Sequence, residues 1–200
     1  MYYYFPKWRD AEWFVNWNDD LRIEVRQAAG RDPEPSAARI DSQSVKTTEL
    51  ADARGCDAGK QINGRKRHAL VEALGLPLRF KVLPGNVQDR DGAKILLEEV
   101  KDQFPRLRLI RADGGYRGKL VEWVATTCVW FLQIVLRKGG VKGFHLLPRR
   151  RVVERTFAWL YRNRRWRRDY ERQAASEEAF CYFASTLLML RRLRPAKAAS

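Results

Sequence analysis

Three acidic residues stand where they could do metal-assisted chemistry, and two of them end runs that suit β-strands. Asp41 closes the run 38–41 before Ser-Gln-Ser, and Asp113 follows the strand-like run 107–112 and precedes two glycines. Aspartate at such a boundary commonly closes a turn, so neither residue is decisive alone. Neighbouring strands that end together would bring both carboxylates to one edge of a sheet. Paired carboxylates there favour a hard divalent cation.

Glu154 is the third candidate, because it lies on a predicted helix with the apolar positions Val153, Phe157 and Leu160. This spacing puts Glu154 at the boundary of the buried face rather than opposite it. A solvated glutamate in a first helical turn, favoured by the helix dipole, is the alternative. Its surroundings favour a functional role, since Glu154 is the only acidic residue between Arg137 and Arg168.

The charge of the chain points to a polyanionic partner. It has 39 Lys and Arg against 24 Asp and Glu, a formal net charge of +15 in 200 residues. Between Arg137 and Arg172 there are 13 basic and three acidic residues. Solubility gains little from a cluster of one sign, whereas such a cluster attracts nucleic acid through counterion release. The composition therefore predicts a nucleic-acid partner.

The predicted elements place the acidic residues on a mixed sheet. A helix is expected over 10–29, capped by Asp10 and followed by a proline-containing connector at 31–36. Strands are predicted at 38–41, 67–74, 78–83, 107–112 and 129–136, and further helices from near Asp89, Tyr116, Val152 and Ser176. A hairpin followed by helical crossovers predicts an α/β fold with antiparallel and parallel strands, flanked by helices.

Two terminal helices carry apolar stripes that predict their buried faces. For the first helix the stripe is Trp13, Trp17, Leu21 and Val25. For the last helix it is Phe180, Phe183, Leu187 and Leu190.

Several classes of protein are disfavoured by composition. The three cysteines lie far apart without a paired CxxC motif, which argues against a disulfide framework or a zinc cluster. The longest apolar stretch is too short to span a bilayer, and no phosphate-loop or dinucleotide motif indicates a nucleotide cofactor. We therefore expect a soluble cytoplasmic protein with no membrane partner.

The three acidic segments resemble the Asp-Asp-Glu catalytic set of bacterial insertion-sequence transposases. Asp41 lies in Arg-Ile-Asp-Ser-Gln-Ser-Val-Lys, Asp113 in Ala-Asp-Gly-Gly-Tyr-Arg-Gly, and Glu154 in Val-Val-Glu-Arg-Thr-Phe-Ala-Trp-Leu. The likeness extends to Gly-Arg-Lys-Arg-His at 64–68, Pro-Gly-Asn-Val-Gln-Asp-Arg-Asp at 84–91 and Leu-Met-Leu-Arg-Arg-Leu at 188–193. It covers nearly the whole chain in the right order.

The resemblance implies a ribonuclease-H-like fold, with Asp41 on the first strand, Asp113 after the fourth and Glu154 on a later helix. It implies that these three residues are catalytic and bind two divalent cations, Mg²⁺ or Mn²⁺. Two such ions, about 3.5–4 Å apart, activate the nucleophile and stabilise the leaving oxygen of phosphoryl transfer. Water would first cut at the transposon end, and the freed 3′-hydroxyl would then attack target DNA.

The resemblance also implies double-stranded DNA as the partner, bound by a homo-oligomer associated with the nucleoid. Basic residues near the expected site could hold its phosphates. These candidates are Lys60, Arg65, Lys66, Arg67, Lys138, Lys142, Arg149, Arg150, Arg155, Arg162 and Arg165. For the first four of them, an exposed basic loop without a role in DNA binding is an equal alternative.

Three parts are expected along the chain. They are a helical segment and connector at 1–36, the catalytic domain at 37–172, and a C-terminal helix with a basic tail at 173–200. Family members usually carry additional N-terminal sequence that helps to recognise transposon ends. We therefore expect the downstream half of a transposase split between two reading frames, or a fragment. A catalytically inactive DNA-binding remnant and a ribonuclease-H-like nuclease are the competing interpretations.

Overall fold

A computed structural model describes residues 3–136 and 151–194 and shows one six-stranded mixed sheet flanked by helices. The strands are β1 Ala37–Lys46, β2 Gly55–Asp57, β3 Ile62–Glu72, β4 Pro77–Pro84, β5 Leu109–Ala112 and β6 Phe131–Ile134. The helices are α1 Tyr4–Asp10, α2 Trp13–Ala28, α3 Asp89–Val100, α4 Lys119–Trp123, α5 Arg151–Leu160 and α6 Ala174–Leu193. Within the described ranges no helix is long and apolar enough to cross a membrane.

The first strand, β1, lies at the centre of the sheet. It pairs antiparallel with β3 and parallel with β5, and β5 pairs parallel with β6. The strands β4 and β2 pair antiparallel with β3. A hairpin thus supplies the antiparallel half and the later crossovers supply the parallel half. This arrangement confirms the predicted ribonuclease-H-like α/β fold.

The two faces of the sheet are covered by different helices. One apolar core joins Ile40 and Ile110 of the sheet to Leu96 of α3 and Leu120 of α4. A second core joins β3 and β4 to α5 and α6, through side chains that include Val71, Phe80, Val153, Phe157 and Ala179. Because side chains alternate along a strand, Ile40 faces α3 and its neighbour Asp41 faces α5.

The first strand is much longer than its apolar run suggests. Asp41 is the fifth of its ten residues, which corrects the prediction that it ends a strand. The polar continuation stays in the sheet because its hydroxyls find buried partners: Ser42 donates to Asp89 over 2.8 Å, and Ser44 donates to Asp57 over 2.5 Å. These contacts are long-range, so apolar periodicity could not reveal them.

The N-terminal helix also differs from the prediction. Asp10 ends α1 instead of capping the next helix, and α2 begins after Glu12, which has a left-handed φ of 56°. Trp13 and Trp17 are 47% and 39% exposed, whereas Phe14 and Asn18 are buried. The predicted stripe is thus correct at Val25, which is buried, whereas in the first turns of α2 the buried face is offset by one residue from the tryptophans.

The last helix shows a similar offset between its predicted and its buried face. Phe183, Leu187 and Leu190 of α6 are exposed, while Tyr182 and Ser185 are buried. The physical reason is a hydrogen-bonded polar contact between α2 and α6. Asn18 accepts from the Ser185 hydroxyl over 2.8 Å and donates to the Pro77 carbonyl over 2.9 Å. A buried amide with partners costs little, so the polar side can face inward.

Candidate functional site

The three acidic residues singled out from the sequence line one small pocket, of about 30 Å³. Strand β1 contributes Asp41, the end of β5 contributes Asp113, and α5 contributes Glu154. The remaining lining residues are Arg39, Ile40, Arg111, Ala112, Val135 and Val153. Residues more than 100 positions apart in the chain therefore meet at one point of the sheet.

Strand register brings the two aspartates together. The parallel pairing of β1 with β5 matches Arg39 with Arg111, so Asp41 and Asp113 each lie two residues further along. Strand β5 ends at Ala112, and the Asp113 carboxylate accepts the backbone N–H of Gly115 over 2.8 Å. That bond caps the short 3-10 turn Gly114–Tyr116. The turn role that stood as the alternative for Asp113 is thus present, and it does not prevent the residue from lining the pocket.

Glu154 reaches the pocket because α5 is fixed to the sheet. Val153, Phe157 and Leu160 are buried, as their spacing predicts, and Glu154 is exposed next to them. A polar contact adds to this packing: the Thr156 hydroxyl donates to the Gly75 carbonyl over 2.8 Å. The turn between β3 and β4 therefore positions the helix that bears the glutamate.

The electrostatics of the pocket centre on Asp41. Burial raises the pKa of its carboxyl to about 6, and the negative charges of Asp113 and Asp89 act in the same direction. The Ser42 backbone N–H, which donates to Asp41 over 2.7 Å, and the charge of Lys60 oppose the rise in pKa. A cation that entered the pocket would relieve the repulsion between the two aspartates.

The donor chemistry of the pocket fits a hard divalent cation, since carboxylate oxygens are the ligands that Mg²⁺ and Mn²⁺ prefer. Across residues 3–136 and 151–194, however, no group of three His, Cys, Asp or Glu side chains is close enough to hold a metal ion. Asp41, Asp113 and Glu154 thus share a pocket without forming a closed ligand cage.

Three of the predicted DNA-contacting residues lie in the interior, which corrects the sequence interpretation. Arg65 and Arg67 have fully buried side chains on β3, and Lys66 is 6% exposed. Arg65 pairs with Asp169 over 2.7 Å, and Arg67 pairs with Glu177. These cations are held by internal carboxylates, so they are not available to phosphates.

Lys66 belongs to a polar cluster on the α3 face of the sheet. It pairs with Asp89 over 3.2 Å and with Asp57 over 3.5 Å. Asp89 is the first residue of α3, after the N-cap Gln88, which agrees with the predicted start of this helix. The Asp89 side chain accepts from the hydroxyl of Ser42, next to Asp41 in the chain. No periodic pattern in the sequence predicts that these residues form a cluster.

The other basic candidates are exposed or lie outside the described residues. Lys60, Arg155 and Arg162 are exposed, and so is Arg165, which pairs with Glu171 over 2.6 Å. Arg155 precedes the buried Thr156 on α5 and directly follows Glu154. The remaining four, Lys138, Lys142, Arg149 and Arg150, lie in the segment 137–150, outside the described residues.

The sheet order and the acidic pocket define a ribonuclease-H-like domain, and the sequence comparisons specify the family. The Transposase DDE domain model matches residues 32–189. The chain belongs to this family. It is also similar to the "Putative transposase for insertion sequence element IS402" of Burkholderia cepacia, with 29% identity over 140 residues. That match spans 66% of this chain and 66% of the relative.

Proposed function

We propose that this chain is the catalytic domain of a DNA transposase, which cuts phosphodiester bonds at transposon ends and joins the freed 3′-hydroxyl to target DNA. The observation that supports this proposal is the shared pocket of Asp41, Asp113 and Glu154 in a member of the Transposase DDE domain family. Each acidic residue comes from a separate element, so the pocket depends on the fold as a whole.

Asp41, Asp113 and Glu154 would hold two divalent cations, Mg²⁺ or Mn²⁺. Bound there, such ions would supply Lewis-acid activation of the nucleophile and charge stabilisation at the leaving oxygen. The chain's own contribution is to hold three acidic side chains rigidly around one opening. Strand pairing fixes the two aspartates, and the contact of Thr156 with the β3–β4 turn fixes the glutamate helix.

Double-stranded DNA is the proposed substrate, acted on in the cytoplasm near the nucleoid by a homo-oligomer. Exposed cations beside the pocket would bind its phosphates. Arg155 lies in α5, and Arg162 lies two turns later, just after the helix ends. The charge of Lys60 is close enough to influence the pKa of Asp41. Phosphate contacts of this kind position a duplex without reading its sequence.

A cleavage assay with purified protein and a duplex that carries the element's own ends tests the proposal. With Mg²⁺ or Mn²⁺, Asp41→Asn, Asp113→Asn and Glu154→Gln should each lose at least about 100-fold in rate, since each loses an estimated 3 kcal/mol or more of transition-state stabilisation. Asp91→Asn and Glu122→Gln are matched controls, because both residues are exposed and lie outside the pocket.

The products separate the competing activities. Joining of a 3′-end to a second duplex supports a transposase, whereas cleavage without joining supports a nuclease. Cleavage that is unchanged in all three pocket variants would show that the acidic residues are misassigned. Tight DNA binding without any cleavage by the wild type would support the non-catalytic interpretation.

A further inference from the structure

A second, wider pocket of about 540 Å³ lies at the carboxyl end of β1, and we call it the β1-end groove. Its lining contains three cations, Lys46, Arg54 and Arg168, and two amides, Gln61 and Asn63. Thr47 and Glu49 complete it, so three positive charges face one negative charge. All three cations are exposed at the surface.

The walls of this groove are held together from inside by Arg65. Its guanidinium donates to the Asp52 carboxylate over 2.6 Å and to the Asp169 carboxylate over 2.7 Å. Asp52 is two residues from Arg54, and Asp169 follows Arg168. One fully buried arginine therefore ties both wall segments to β3. Arg65, which the sequence suggested as a DNA contact, therefore positions the walls of the groove.

The segments that bear Lys46 and Arg168 are also joined by hydrogen bonds. The Arg168 guanidinium donates to the Thr47 carbonyl over 3.1 Å, and the Asp169 backbone N–H donates to the Lys46 carbonyl over 3.0 Å. Gly64 pairs with Lys46, and a Cβ there would lie 2.0 Å from the Val45 carbonyl oxygen. The floor is thus closely packed, and Lys46 and Arg168 are presented on a rigid base.

The groove and the acidic pocket are lined by the same two parts of the chain, β1 with its carboxyl end and the segment from α5 to Arg168. Lys46 is five residues beyond Asp41 on β1, about 16 Å at the strand rise of roughly 3.3 Å per residue. The chain that runs from Glu154 in α5 to Arg168 also reaches the groove. At 3.4 Å per step, this distance corresponds to about five base pairs of duplex.

We propose that the β1-end groove binds the sugar–phosphate backbone of the DNA that flanks the acidic pocket. The ligand class follows from the lining, because arginine and lysine with amide side chains are phosphate-contacting groups. An open groove with separated cations suits a continuous strand better than one small anion. The choice of DNA rests on the proposed transposase function, whereas binding itself does not require the acidic pocket.

Fluorescence anisotropy with a labelled 30-base-pair duplex, in EDTA and over a series of salt concentrations, tests the groove. Arg54→Gln, Arg168→Gln and Lys46→Gln should each weaken binding about 5–10-fold near 0.1 M salt and reduce the log–log salt slope by about 0.9. The double variant Arg54→Gln/Arg168→Gln should reduce the slope by about 1.8. Thermal melting checks that each variant is folded.

Two kinds of control make the experiment decisive. Arg108→Gln removes one exposed charge next to the amino end of β5, which pairs with the opposite end of β1 from Lys46. It should leave the salt slope within about 0.3 of the wild type. Arg54→Lys and Arg168→Lys keep the charge and should retain most of the affinity.

Groove variants that bind as tightly as Arg108→Gln, with the same salt slope, would overturn the proposal. Asp41→Asn distinguishes this failure from failure of the proposed function. It should bind DNA normally in EDTA and lose cleavage when metal is present. If it keeps cleavage while the groove variants lose binding, the groove stands and the catalytic assignment fails.

Discussion

Asp41 and Asp113 lie at the same level of two neighbouring parallel strands, each two residues beyond the paired residues Arg39 and Arg111. Their side chains line one pocket, and the charge of Asp113 helps to raise the pKa of Asp41. Like charges in one pocket repel each other, and a cation bound between them would relieve this repulsion.

A divalent cation should therefore stabilise the protein through these two aspartates. At ten times the dissociation constant, one bound ion adds about 1.4 kcal/mol, which raises Tm by roughly 3–6 °C in a domain of this size. Differential scanning fluorimetry with Mg²⁺ or Mn²⁺ against EDTA measures the shift. Asp41→Asn and Asp113→Asn should lose it, whereas Asp91→Asn should retain it. Equal shifts in all four proteins would place the cation elsewhere.

The contact between Gly75 and Thr156 should matter for catalysis although neither residue lines the acidic pocket. Thr156→Val leaves the buried Gly75 carbonyl without its hydroxyl donor, at a cost of about 1–2 kcal/mol in unfolding free energy. Gly75→Ala should cost more, because Gly75 has a φ of +81° and a Cβ there would lie 2.8 Å from the Thr156 hydroxyl oxygen. Urea denaturation measures both changes.

Cleavage rate should fall in the same two variants, since the turn positions the helix that bears Glu154. Thr126→Val is the matched control: Thr126 is exposed and makes a comparable local bond, to the Glu122 carbonyl. Its stability should change by less than about 0.5 kcal/mol. The positioning role is contradicted if Thr156→Val and Thr126→Val prove equally stable and equally active.

His68 should make the protein acid-sensitive. Its ring is fully buried against Gly92 of α3, and neither ring nitrogen has a hydrogen-bond partner within the described residues. Burial lowers its pKa to about 4; Asp89 opposes this effect, and Lys66 and Lys60 add to it. In the unfolded chain the His68 ring binds a proton near pH 6.5, whereas in the folded chain it does so only near pH 4.

The neutral His68 ring therefore makes its full contribution to the free energy of unfolding above about pH 6.5, and this contribution is lost as the pH falls towards 4. Relative to His68→Leu, the loss of unfolding free energy should reach about 3 kcal/mol. Urea denaturation of both proteins at several pH values measures this difference. If the two stability curves run parallel between pH 7 and pH 4, the ring is not the source of the acid sensitivity.

The grouping of Asp41, Asp113 and Glu154 in one pocket was easier to infer from the sequence than the buried polar network was. Apolar periodicity located the inner face of α5 and put Glu154 at its edge, because those residues pack locally against the sheet. Charge alone, by contrast, could not distinguish a surface arginine from an internal one. Arg65 and Arg67 look like surface cations in the sequence, but carboxylates more than 100 residues away hold them inside.

The amphipathic pattern of α2 was misleading for a related reason. The tryptophan stripe has the spacing of a buried face, yet Asn18 faces inward because Ser185 and the Pro77 carbonyl supply its hydrogen bonds. Such partners come from distant segments and leave no trace in local spacing.

The sequence by itself determined the α/β class, the three acidic residues and their order, because these follow from local patterns of polarity and from recognisable segments. Only the tertiary structure decided that Asp41 lies within a long strand, at the level where β5 ends, and that Arg65 braces a groove instead of facing solvent. Strand register and buried ion pairs join residues that are far apart in the chain, so their positions depend on the folded packing.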